Sequence, residues 1–80
     1  MEQDYRELLK NKLSERCQRN NTYSLRAFAR DLEISPQRLS HILSGRHGIS
    51  VKAAQNMALK LNLSEREQQI FCLLVQKKHS

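Results

Sequence analysis

Gln37, Arg38, His41 and Ser44 stand three or four residues apart, a spacing that gathers them on one face if the segment is helical. Gln37 carries a donor and an acceptor side by side, a pairing that matches adenine N6 and N7, and Arg38 carries a planar fork that fits guanine O6 and N7 or a phosphate. His41 can bond a base edge in either neutral tautomer, or a phosphate when charged. Their common chemistry is hydrogen-bonded recognition of a polar edge. Catalysis is not expected, because no serine or histidine stands at a recognisable spacing from a base and an orienting acid; Ser40 and His41 are adjacent and point in different directions on a helix.

Presenting those side chains requires a short rod held away from the body. The stretch SLRAFARDLEISPQRLSHILSG, Ser24 to Gly45, has an apolar helical pattern that stops, turns over about three residues and restarts at Ser35-Pro36. Serine there suits the N-cap, and proline suits the first helical position, where its missing N–H is harmless. Leu25, Phe28, Ala29 and Leu32 form one stripe, Ile34 plugs the turn, and Leu39, Ile42 and Leu43 face inward. Gln37, Arg38, Ser40, His41 and Ser44 are then left facing out. Two helices joined this tightly follow the helix-turn-helix plan, whose usual partner is the DNA major groove. Pro36 to Ser44 is nine residues, about 13 Å of helix, and a groove about 12 Å wide admits it.

The charge supports a polyanionic partner. The 80 residues include 14 Lys and Arg against 8 Asp and Glu, a net charge of +6. From Arg26 to Lys52 there are five Lys or Arg and two acids, Asp31 and Glu33, hence +3 before histidine is counted. Arg26 and Arg30 lie one turn apart on the first helix of the pair, while Arg46, His47 and Lys52 follow the second. Phosphate contacts are expected from Arg26, Arg46, His47 and Lys52, with the hydroxyls of Ser35 and Ser44.

Few glycines, one proline and abundant leucine favour helices, and the chain reads as one all-α domain over residues 1–80 with five helices. The first runs from about Asp4 to Arg19 and ends at Asn20-Asn21-Thr22, where asparagine suits a left-handed residue. Gly45 ends the third, Ser50 caps a fourth that buries Ala54, Met57, Ala58 and Leu61, and Ser64 with Glu67 has capping-box spacing for a fifth. Ile70, Phe71, Cys72, Leu73, Leu74 and Val75 make that fifth helix apolar almost all round. Such a helix must be covered on every side, by helices one and four or by a second copy or downstream domain. Ile70, Phe71, Leu73, Leu74 and Val75 are the expected interface in the latter case.

Cys17 and Cys72 sit on apolar faces with no CxxC or Cys/His spacing, which favours reduced core thiols over a disulfide or a zinc site. With no Gly-rich phosphate loop, paired acidic site or HExxH, no cofactor or metal is expected. No apolar run approaches a membrane span, and the N-terminus lacks the basic-then-apolar order of a signal peptide, so the expected location is the cytoplasm, away from any membrane.

With these residues in place, the chain resembles the Cro/C1-type (XRE, lambda-repressor-like) helix-turn-helix family over about Ser24 to Leu63, most tightly from Leu25 to Ser44. Ala29 stands at that family's small residue, Glu33 at its turn residue, and Leu39 and Ile42 at its buried aliphatics. The resemblance implies a lambda-repressor-like domain that binds double-stranded DNA sequence-specifically and regulates transcription in bacteria. It also implies base contacts at Pro36, Gln37 and His41 and backbone contacts at Ser44, Gly45 and Arg46. RAFARDL, the IS-P and RLS that follow, and LNLSERE are similar to the N-terminal module of a group of larger bacterial proteins, which implies a longer parent chain. Two departures stand out. Glu33 replaces a residue that is commonly glycine, so a positive φ there carries about 1 kcal/mol of strain, and Pro36 shifts the recognition burden to Gln37, Arg38 and His41.

The rival reading is a protein-interaction module of the same fold, acting through helix five or the recognition helix without touching DNA.

Overall fold

Helix starts in this chain rest on side-chain oxygens that accept otherwise orphaned backbone N–H groups. The computed structural model describes residues 4–79, and within them the order is α1 (Tyr5–Arg19), α2 (Leu25–Leu32), α3 (Pro36–Ser44), α4 (Val51–Lys60) and α5 (Glu65–His79), with no strand. Asp4 accepts from the Arg6 amide, Ser24 from Ala27, Ser35 from Arg38, Ser50 from Ala53 and Ser64 from Glu67. At α5 the box is reciprocal, because the Glu67 carboxylate accepts from the Ser64 amide at 3.1 Å. Replacing one such cap by alanine typically costs about 0.5–2 kcal/mol.

The helix ends are set by left-handed residues at Glu33 (φ 59°), Gly45 (φ 90°) and Asn62 (φ 56°). The left-handed asparagine expected in the Asn20-Asn21-Thr22 break does not form: neither asparagine has a positive φ, and Asn20 at the end of α1 is extended at φ −143°. Its Oδ1 accepts from both the amide and the hydroxyl of Thr22, which reverses the chain without a positive φ.

The core forms where these helices cross. Phe28, Ala29 and Leu32 of α2 and Leu39 and Ile42 of α3 are buried together with Leu9 of α1, Ala54, Met57 and Ala58 of α4, and Phe71 and Val75 of α5. Helix α5 packs on α4 and α1, and the Tyr5 ring meets Phe71 edge-on at 6.3 Å. The expectation that Phe71 and Val75 serve an interface with another chain is therefore corrected: both are fully buried within this chain. A small domain needs a central helix, and α5 turns the Phe71/Val75 face inward to complete the core. Ile70 and Leu73 remain outside at 41% and 58% exposure, with Leu74 half-buried.

Neither cysteine is a core residue in the full sense expected. Both are free thiols and half-buried; Cys72 packs against the core, and Cys17 donates to the Tyr23 carbonyl at 3.5 Å. Beside Cys17, Arg16 joins three segments: its guanidinium donates to Tyr23 Oη, to Asp31 Oδ2 at 2.9 Å and to the Leu61 carbonyl at 3.2 Å. Burial first, and then the bond it donates to Asp31, push the Tyr23 phenol above its ordinary value.

The turn at Glu33 and the α1–α5 ion pair each bear on stability. Glu33 is left-handed with a Cβ and also pairs with Lys60. Glu33→Gly should raise Tm by about 4–8 °C, the equivalent of about 1 kcal/mol in a domain this size, whereas Glu33→Ala, which loses the ion pair but keeps the strain, should not. Thermal melts in which the two variants behave alike would remove strain as the explanation.

Lys12 bridges to Glu67, and that contact, helped by the Ser64 amide, holds the Glu67 carboxyl below its ordinary 4.5. A depressed folded-state pKa gives stability that is present above pH 4.5 and is lost as pH falls through the lower folded value. Tm should therefore drop on acidification from about pH 5, and Glu67→Gln should flatten that limb; an acid limb unchanged in Glu67→Gln would assign it to other carboxylates.

Candidate nucleic-acid interface

Helix α3 is buried on one side and open on the other. Leu39 and Ile42 have 0% exposure, Ile34 and Leu43 are half-buried beside them, and Gln37, Arg38, Ser40 and Ser44 are exposed. The three-residue turn Glu33-Ile34-Ser35 allows this. Its left-handed Glu33 sends the Glu33 and Ile34 amides back to the Arg30 and Ala29 carbonyls, after which Ser35 restarts the chain and Pro36 opens α3.

The structure brings Gln37, Arg38 and His41 together with Ser35, His47 and Gly48 around one cavity of about 370 Å³. No hydrogen bond or ion pair among the described residues engages the side chain of Gln37 or Arg38. His41 is half-buried because its ring stacks on that of His47, with centroids 5.1 Å apart and 24° between planes. This pairing was not legible from spacing. It arises at the Gly45 reversal, where the Arg46 and His47 amides both donate to the His41 carbonyl and lay the loop over the last turn of α3.

Among the residues expected to touch a nucleic-acid backbone, Arg26, Arg46 and Lys52 are exposed, and His47 lines the cavity. Ser35 Oγ accepts the Arg38 amide as the N-cap, which leaves its own proton available to an anion. Ser44 Oγ is occupied differently. It donates to the His41 carbonyl at 3.2 Å, so a phosphate would have to compete for that proton.

Ion pairing sorts the charges across the molecule. Asp31 is held by Arg16 of α1, Glu33 by Lys60 at the end of α4, Glu67 by Lys12, and Asp4 by Arg6 and Lys78. Arg26, Arg30, Arg38, Arg46 and Lys52 take part in no ion pair among the described residues. The two acids of the helix-turn-helix are thus neutralised from outside it, and its cations are left over for a partner.

Sequence reasoning missed Arg6. From α1 its Nε donates to the Ile42 carbonyl at 2.7 Å and its Nη2 to the His47 carbonyl at 3.1 Å. The only local signal was a cation at the edge of the α1 apolar stripe, between Tyr5 and Leu9. That position does not reveal contacts with residues 36 and 41 places further along the chain.

Chemically, the arrangement offers hydrogen-bond donors and acceptors on a rigid rod and unpaired cations around it. No described helix is long and apolar enough to cross a membrane. A family model described as helix-turn-helix matches residues 13–68, which run from inside α1 to the first turn of α5 and include both helices of the motif. No curated protein and no solved structure matches the chain. Family match, five-helix architecture and an outward polar rod agree: the chain belongs to the Cro/C1-type helix-turn-helix family, and its motif is a DNA-binding one.

Proposed function

We propose that this chain binds double-stranded DNA sequence-specifically through the major groove and acts as a transcription regulator. In this reading α3 enters the groove, Gln37, Arg38 and His41 meet base edges, and Arg26, Ser35, Ser44, Arg46, His47 and Lys52 meet the sugar-phosphate backbone. The observation that carries it is the contrast across α3: an inner face at 0% exposure, and an outer face whose amide and guanidinium have no hydrogen-bond or ion-pair partner among the described residues. Such groups, solvated when free, become specific when a base edge replaces their water.

Charge sorting supports the same reading. Cations left unpaired on α2, α3 and the following loop would displace counterions from DNA and make affinity fall with salt. Among the described residues, the large exposed apolar groups open to the protein-interaction alternative are Leu59, Ile70 and Leu73, and these lie on α4 and α5 rather than on α3.

Selection of bound oligonucleotides from a random pool should return a consensus. Against that consensus, Gln37→Ala should lose about 1–3 kcal/mol while its affinity for random duplex barely changes; equal losses on both would reduce Gln37 to a backbone contact. Arg46→Ala should weaken binding to all duplexes and flatten the log–log salt slope by about one unit. A slope identical to that of the native chain would remove Arg46 from the phosphate contacts.

A further inference from the structure

The last turn of a helix leaves four carbonyls without intrahelical partners, and at the end of α3 the chain must also reverse to form the basic loop. The Gly45 turn satisfies part of this need through the amides of Gly45, Arg46 and His47, which donate to the Ile42 and His41 carbonyls. A guanidinium from a different helix adds a second donor at the Ile42 carbonyl and one at the His47 carbonyl. Arg6 Nε reaches Ile42 on the helix side of the reversal, and Nη2 reaches His47 on the loop side, so one rigid planar group spans both arms.

Arg6 is itself held in place. Its side chain is only 15% exposed, it lies over the Tyr5 ring with 4.6 Å from the guanidinium carbon to the ring centroid, and Asp4 pairs with it at 3.3 Å. Tyr5 is anchored in the core against Phe71. The positive charge also sits at the negative end of the α3 dipole, where a cation is stabilising. Arg6 lies outside the residues that the family model matches.

We propose that Arg6 is a positioning residue for DNA binding: by bridging the Ile42 and His47 carbonyls, it fixes the loop that carries Arg46 and His47 relative to the base-facing side of α3. It does this without touching DNA itself. The proposal rests on the DNA-binding reading for its functional half, whereas its structural half concerns the free protein alone. Lysine cannot replace the fork, because an ammonium on a flexible stem cannot hold both carbonyls in that fixed geometry.

The test uses Arg6→Lys, which keeps the charge, with Arg6→Met as a second variant. In the free protein, well below its Tm, amide exchange at Gly45, Arg46 and His47 should speed up about tenfold in Arg6→Lys, the loss expected for a charged hydrogen bond, while Phe28 and Leu39 amides change little. On duplex DNA both Arg6 variants should lose affinity, and that loss should shrink in an Arg46→Ala background, because Arg6 acts through the loop. A loss of equal size in both backgrounds, or exchange that accelerates equally in the loop and at Phe28 and Leu39, would make Arg6 a general stabiliser and overturn the proposal. Unchanged loop exchange in Arg6→Lys, with native affinity for duplex intact, would overturn the Arg6 assignment and leave the DNA-binding reading standing. A native chain with no affinity for duplex would sink that reading and the functional half together, while the exchange measurement would still decide whether Arg6 orders the loop.

Discussion

Helix α3 is nine residues long, too short to persist in water on its own, so everything at the candidate site depends on the burial of Leu39 and Ile42. Each buried aliphatic of this kind contributes roughly 1.5–3 kcal/mol, and the half-buried Leu43 packs beside them. The brace behind it comes from α2, through Phe28, Ala29 and Leu32, and from α1, through Leu9. The turn accepts a left-handed Glu33 to let the two helices meet at this angle. Strain at one residue is tolerated because the hydrophobic contacts on both sides fix the backbone there.

From that constraint the electrostatics follow. With its inner face committed to the core, α3 can turn only polar side chains outward, and the acids that might neutralise its neighbours are drawn off by Arg16 and Lys60. The His41–His47 stack and the Arg6 bridge then fold the loop after Gly45 against the rod. These contacts tie the loop backbone to the rod, while the exposed side chains of Arg26, Arg38, Arg46 and Lys52 are left to be ordered when a partner binds.

Much of this was legible in the sequence because it is local. Serines 24, 35, 50 and 64 mark helix starts by a bond to an amide three residues on, and Pro36, Gly45 and the stripe at 28, 29 and 32 act within a turn or two. What was not legible is long-range or has two local solutions. Arg6 and Arg16 act on carbonyls 36 to 45 residues away, at distances that no periodicity encodes. Asn20 turned the chain with its side chain where a left-handed backbone was expected, and both routes suit asparagine. The apolar run of α5 was ambiguous for a different reason: composition cannot say which face the core takes, and it took Phe71 and Val75.

The open face of α3, with the loop after it, is the proposed seat of the DNA. The most direct measurement is a backbone amide NMR titration with a short duplex at low salt. Shifts should concentrate at Arg26, at Gln37 through His41 and at Arg46 through Lys52, with α5 quiet. Shifts confined to Ile70 and Leu73, or no shifts at any duplex concentration, would contradict it.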